Sequence, residues 1–255
     1  MCNKRRHSPR IKIGISSCLL GQKVRYDGAH KHHSFLVHKL GRDFELVPVC
    51  PEVGIGMPVP RPPIHLVKSG EEIRVLDVST HSRDYTDALY AYPEVISDKL
   101  DSLSGYILKK NSPSCGVEAV EIFPEENNQL PLGQTGSGMF VRSVRDHYPL
   151  LPMEDEDRLC DPELRQDFIR QVLVYRRWRY MSENNMKQKD LFMFHTEHQP
   201  LIMSYDRKIA RELQQMIIRA GGLSLESVKL EYITTLMCLL GSRVKVRNTA
   251  NGLPD

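Results

Sequence analysis

The sequence predicts an α/β fold, with a Rossmann-like, largely parallel sheet domain followed by a smaller all-α domain. Two observations carry this. Three strand-like apolar runs, Ile11-Lys-Ile-Gly-Ile-Ser-Ser-Cys18, Phe44-Glu-Leu-Val-Pro-Val-Cys50 and Gly105-Tyr-Ile-Leu-Lys-Lys-Asn-Ser-Pro-Ser-Cys115, each end in a cysteine-bearing turn. Beyond Asp161 the apolar residues fall at helical spacing. Strands parallel in one sheet deliver their three thiols to its carboxyl edge, where open α/β sheets bind ligands.

Residues 1–10 read as a disordered basic tail. After the first strand, Gly21 and Asp27-Gly28 signal turns, and Arg25 and Asp27 place opposite charges near a thiol, a pair more simply read as structural. A helix follows from Ser34 to Leu40 and ends at Gly41. The second strand leads into Cys50–Pro63, whose prolines and glycines predict an irregular loop without helix. Ile73–Val78 is a further strand, Arg83–Leu103 a helix broken at Pro93, and Glu118–Phe123 a strand after the Cys115 turn. The glycine-rich stretch Gly133–Val141 is placed near the site, on a weak signal.

The chain thus divides into an α/β domain over 11–150, a linker over 151–160 and a helical domain over 161–255. In the last, Asp161-Pro162 opens a helix with Leu164, Phe168, Val172, Tyr175 and Arg179 near helical spacing. Asp206 caps a helix that stops at Gly221-Gly222, and Ser224 one that stops at Gly241.

Composition narrows the function. The chain has 255 residues, 40% hydrophobic and 26% charged, which is ordinary for a globular protein with a sizeable core. No run has bilayer-spanning length and the basic start lacks a signal-peptide core, so a cytoplasmic protein is expected. A net charge of +3 is too small to argue for nucleic acid. The six cysteines (2, 18, 50, 115, 160 and 238) contain no CxxC pair, and in a reducing compartment they read as catalytic, metal-binding or buried.

Three thiols from three loops suit few chemistries. Structural zinc wants four protein ligands, often in close pairs, whereas an iron–sulfur cluster on three cysteines keeps one iron open as a Lewis acid. Glu52, stiffened by Pro51 two residues past Cys50, is a candidate general acid or base; its competing role is a salt bridge to Arg61. Ser112 and Ser114 flank Pro113 and offer hydroxyls to a ligand, against the simpler role for Ser112 of bracing its own turn. His195 and His198 have the one-turn spacing of a metal pair, and Arg176-Arg-Trp-Arg179 would suit an RNA backbone. Packing histidines and a solvated helix face are the plainer readings.

At these residues the chain resembles the thiouracil desulfurase family. The resemblance rests on Ser17-Cys-Leu-Leu-Gly21 with Val24-Arg-Tyr-Asp-Gly28, Cys50-Pro-Glu52 with Pro60-Arg-Pro-Pro63, and Leu108-Lys-Lys-Asn-Ser-Pro-Ser-Cys-Gly116, over residues 11 to 150. From about 158 onward it is similar to the helical domain of the longer YbgA-type members. What the resemblance implies is a 4Fe-4S cluster on Cys18, Cys50 and Cys115, whose open iron takes the sulfur of a small thiocarbonyl substrate. Glu52 and Ser112 would handle protons, turning thiouracil into uracil and sulfide. Departures are His65 where relatives carry an acid, Cys160 where Asn is usual, and an ending, Asn248–Asp255, that looks truncated. The alternative is a binding module for nucleic acid or protein with a structural metal; a metal-free cysteine nucleophile is a third reading.

Overall fold

A computed structural model describes residues 10–125, 130–219 and 224–250, and the chain divides into two compact units, 1–161 and 162–255. Most of the expected basic tail lies outside the described residues, as do Gly221-Gly222 and the last five residues. Arg10 is held in place, its guanidinium donating to the backbone carbonyls of Gly41 and Phe44.

In the first unit the strands, numbered in chain order, are β1 (Lys12–Ser16), β2 (Glu45–Val49), β3 (Ile64–Ser69), β4 (Glu72–Asp77), β5 (Tyr106–Leu108), β6 (Val120–Pro124), β7 (Thr135–Gly136) and β8 (Met153–Asp155). The first sheet has the order β2-β1-β5-β8 and is parallel throughout. Its central strands carry Ile13, Ile15, Tyr106, Ile107 and Leu108, all fully buried, because a parallel sheet in an α/β unit has both faces covered. The three predicted cysteine-bearing strands are neighbours here, in register from Lys12↔Glu45 and Gly14↔Tyr106.

One sheet was expected, and there are two. The second has the order β4-β3-β6-β7. Gly70, at φ 61°, turns β3 into an antiparallel hairpin with β4, and β6 adds in parallel to the other edge of β3. These strands cannot join the central part of the first sheet, because both edges of β1 and of β5 are already occupied. A core of Leu66, Val75, Leu89, Val120, Ile122 and Met139 underlies the second sheet.

Helices α1 (Ser34–Leu40), α2 (Pro51–Gly54), α3 (Thr86–Val95), α4 (Ser97–Asp101) and α5 (Met139–His147) complete the unit. Three expectations need correction. The loop after Cys50 begins with one helical turn, α2, since Pro51 occupies the first helical position, where no N–H is needed. The break in the 83–103 helix falls at Ile96 rather than Pro93, which sits in the last turn of α3. The supposed linker 151–160 contains edge strand β8, and three of its acids, Glu154, Asp155 and Glu156, are buried rather than solvated, while Asp157 is exposed. Glu154 accepts from Arg158 at 2.8 Å, Asp155 from the Val117 N–H at 3.3 Å, and Glu156 from the Lys110 N–H at 2.7 Å and from the Lys109 ammonium.

The second unit is helical: α6 (Pro162–Glu183), α7 (Gln188–Tyr205), α8 (Arg207–Arg219) and α9 (Leu225–Ala250). Asp206 caps α8 as expected, its Oδ1 accepting from the N–H groups of Lys208 and Ile209. By contrast, α9 runs through Gly241 without stopping, because buried Leu236, Leu239 and Leu240 hold the helix against the roughly 1 kcal/mol cost of an interior glycine. Trp178 is buried and stacks on Tyr232 at 5.8 Å, while Arg177 pairs with Glu197 and Arg179 with Glu183. His195 Nδ1 meets the Tyr232 hydroxyl at 3.0 Å and His198 Nδ1 the Phe194 carbonyl at 2.7 Å. Trp178 and His195 thus pack inside the helical unit, while the neighbouring arginines form ion pairs on its more exposed face. No helix among the described residues is long and apolar enough to cross a membrane.

The glycine-rich stretch before α5 backs the Cys115 turn. Gly138 N–H donates to Gly116 O and Met139 N–H to Pro113 O, both at 2.9 Å. A Cβ on Gly138 would lie 2.4 Å from the backbone C and O of Ser114, which cannot move without displacing Cys115. Gly138→Ala is expected to lower unfolding free energy by about 1–3 kcal/mol, read from the midpoint of a denaturant titration.

Candidate functional site

The site is built on the carboxyl ends of β1, β2 and β5. Past β1 the chain makes a 3-10 turn over Ser17–Leu20 that ends on Gly21 at φ 89°, and the Cys18 carbonyl is tied by the Gly21 and Lys31 N–H groups. Past β2, Cys50 is the N-cap residue of α2. Past β5, Asn111 takes φ 58° and the chain folds back so that the Ser112 carbonyl accepts from Gly116 N–H at 2.8 Å. Cys18, Cys50 and Cys115, all free thiols, line one cavity of about 230 Å³ together with Glu52 and Ser112. The five residues singled out in the sequence thus converge.

Burial sets the electrostatics of the thiols. Desolvation, followed by repulsion from Cys50, pushes Cys18 up to about 11, and the same two causes hold Cys115 well above its ordinary value. Cys50 is also raised, first by burial and then by the nearby Glu52 carboxylate. None of the three has the lowered pKa of a metal-free cysteine nucleophile.

Glu52 does pair with Arg61. Arg61 donates Nε at 2.9 Å and Nη2 at 2.6 Å to Oε2, and its side chain is only 3% exposed. Oε1 accepts from Ser114 Oγ at 2.9 Å. The salt bridge therefore aims the carboxylate at the cavity. The two serines have separate tasks: Ser114 is fully buried and holds Glu52, whereas Ser112 lines the cavity and braces its own turn, its Oγ accepting from the N–H groups of Ser114 (3.3 Å) and Cys115 (3.1 Å). With those lone pairs engaged, the Ser112 proton is the part left for a ligand.

Ser16, Arg25, Lys109 and Lys110 also line the cavity. Arg25 is ion-paired with Asp27 at 3.4 Å. Lys109 and Ser16 were not singled out beforehand; the available signal was a polar residue closing each apolar strand. Tyr106 is not part of the lining; its hydroxyl is fully buried and has no hydrogen-bond partner among the described residues. His65 lies outside the cavity lining, buried with its Nε2 2.9 Å from that of His81. Cys160, exposed, has its sulfur 3.5 Å from His33 Nε2.

Comparison with known proteins places residues 13–156 in the family described as 2-thiouracil desulfurase. The chain is 36% identical over 110 residues to the uncharacterized protein YbbK of Bacillus subtilis (strain 168), covering 41% of this chain and 72% of that protein. It is also similar to a solved structure described as a [4Fe-4S]-dependent thiouracil desulfidase, TudS. The identity is 33%, the coverage 62% of this chain and 97% of that one, and the TM-score 0.47. The family match ends before the helical unit.

In metal-free protein, Cys18, Cys50 and Cys115 are expected to react with iodoacetamide more slowly than exposed Cys238 at pH 8. Because the thiolate is the reactive form and their pKa values are raised, their rates should climb with rising pH, that of Cys18 as pH approaches 11, as peptide mapping by mass spectrometry would show.

Proposed function

The chain belongs to the 2-thiouracil desulfurase family, and from this we propose that it replaces the sulfur of a thiolated pyrimidine by oxygen, releasing sulfide and using a 4Fe-4S cluster held by Cys18, Cys50 and Cys115. The observation that carries the reading is the convergence of three free cysteines with Glu52 and Ser112 on one cavity.

The residues present fit such a group. Three thiols whose desolvation and closeness oppose ionisation become favourable as thiolates once a cationic metal core compensates them. The unpartnered Tyr106 hydroxyl is a ready donor beside them. A single-ion structural site is less well served, since among the described residues no three His, Cys, Asp or Glu gather as ligands of one metal ion. When bound on three cysteines, the cluster supplies an open Lewis-acid position for a thiocarbonyl sulfur.

The chain's own residues do the rest. Arg61 and Ser114 hold the Glu52 carboxylate in one orientation toward the cavity, where it takes a proton from the attacking water. Ser112 donates its free proton to a heteroatom of the substrate ring. The balance is hydrolytic: a C–O bond forms, the C–S bond breaks, and both protons of the water leave with the sulfide, without net oxidation or reduction.

Protein purified without oxygen should contain about four iron and four sulfide per chain and convert 2-thiouracil to uracil. Cys115→Ser should lose both the iron and the turnover. Glu52→Gln should keep the iron and lower kcat about 10²–10⁴-fold. Zinc in place of iron, or full turnover by Cys115→Ser, would exclude the reading.

A further inference from the structure

Two arginines line the cavity, and one of them has spent its donors. Arg61 gives Nε and Nη2 to Glu52, Nη2 also to the Val24 carbonyl at 2.8 Å, and Nη1 to the Pro58 carbonyl at 3.2 Å. Arg25 has not. Its Nε is buried without a hydrogen-bond partner, and among the described residues its terminal nitrogens donate to no protein acceptor. Asp27, the acid it meets, stands 3.4 Å from Nε, beyond the roughly 2.7–2.9 Å of a charge-assisted bond. Asp27 is 41% exposed and its Oδ1 already accepts from the Ala29 N–H at 3.0 Å, so this pair adds little. The Arg25 side chain itself is only 20% exposed and lies against the Tyr26 ring, its Cζ 5.2 Å from the ring centre. A guanidinium this desolvated, with its donors unused, is costly unless a ligand completes it. The backbone nevertheless fixes it there. Arg61 N–H donates to the Tyr26 carbonyl at 2.8 Å, so Arg61 grips both neighbours of Arg25, and Gly28 N–H closes the turn onto the Arg25 carbonyl at 3.0 Å. One residue thus sets both Glu52 and Arg25 on the cavity.

We propose that Arg25 is a specificity-determining residue, whose guanidinium donates to the exocyclic oxygen that the thiopyrimidine ring carries besides its sulfur. The inference rests on the desulfuration reading above and adds to it which pyrimidines the site accepts. Arginine donates and never accepts, at any working pH, so the ring position it reads must hold an acceptor. 2-Thiouracil offers a carbonyl oxygen at C4. 2-Thiocytosine offers an amino group there, whose N–H bonds face the guanidinium and leave it unpaired. A site that must leave its own desolvated donor unpaired rejects such an analogue, whereas one shaped by apolar contact alone tells the two apart poorly. Asp27 does not compete, because its hold on Arg25 is loose and solvent-exposed.

The test compares wild type and Arg25→Met, both purified without oxygen, for iron content and for kcat/KM on 2-thiouracil and 2-thiocytosine. Wild type is expected to prefer 2-thiouracil by about 10–100-fold, the worth of one hydrogen bond to a charged group. Arg25→Met should keep its iron, raise KM for 2-thiouracil by a similar factor and lose most of the preference. Equal use of the two compounds by wild type, or an unchanged preference in iron-bearing Arg25→Met, overturns the inference while leaving the desulfuration reading intact. If Arg25→Met fails to fold or to load iron, phenylglyoxal modification of the wild-type holoprotein decides, with Arg25 followed by peptide mapping. Slower labelling of Arg25 in excess 2-thiouracil, and not in 2-thiocytosine at the same concentration, supports the contact; labelling that 2-thiouracil does not slow overturns it. A wild-type chain that binds no iron and leaves 2-thiouracil unchanged overturns the desulfuration reading, and this inference with it.

Discussion

Parallel pairing of β1 with β2 on one side and with β5 on the other is the constraint on which the site depends. Because all three strands run the same way, the turns that follow them emerge at one edge, and residues nearly 100 positions apart in the chain meet around one cavity. Hydrogen bonds within these turns, and from the start of α5, then hold each in shape. The Lys31 N–H ties the loop after Cys18 to the Cys18 carbonyl, Ser112 knots the turn that carries Cys115, and the start of α5 presses on that turn through Gly138. The second sheet contributes Ile64 to the cavity, and the loop before it contributes Arg61.

Charge inside this cavity is arranged in compensated groups. Glu52 and Arg61 are both largely buried, and such a pair holds only as a pair; loss of one partner typically costs about 3–5 kcal/mol. Lys109 is matched by buried Glu156, which also accepts from the Lys110 N–H. The thiols stand apart from this pattern. Burial raises all three first, and their neighbours act in both directions: Cys50 raises Cys18 and Cys115, while Lys109 lowers Cys18 and Arg61 lowers Cys50.

Much of this was legible in the residues. The cysteine-bearing strand ends, the α1 helix, the α6 apolar stripe and the Asp206 cap all follow from local patterns of apolar spacing, turn residues and caps, which act over a few residues. Strand partnership was not. Ile73–Val78 and Glu118–Phe123 read as strands without a stated partner, and both pair with β3, a strand hidden after a proline-rich loop. The acids around Asp155 looked like a solvated linker because composition does not reveal that Arg158, Val117 and Lys109 stand ready to pair with them.

By itself, then, the sequence determined an α/β segment with three thiols at strand ends, a helical segment after it, and family membership through three ordered motifs. These are properties of short stretches, and short stretches carry their own conformational preferences and chemical identity. Only the tertiary structure decided that Ser114 rather than Ser112 holds Glu52, that Arg61 completes that grip, and that Ser16 accepts from the Lys109 N–H. The physical reason is that a hydrogen bond is fixed by distance and direction over a few ångströms, and which two groups come that close is set by strand order and packing across the whole unit.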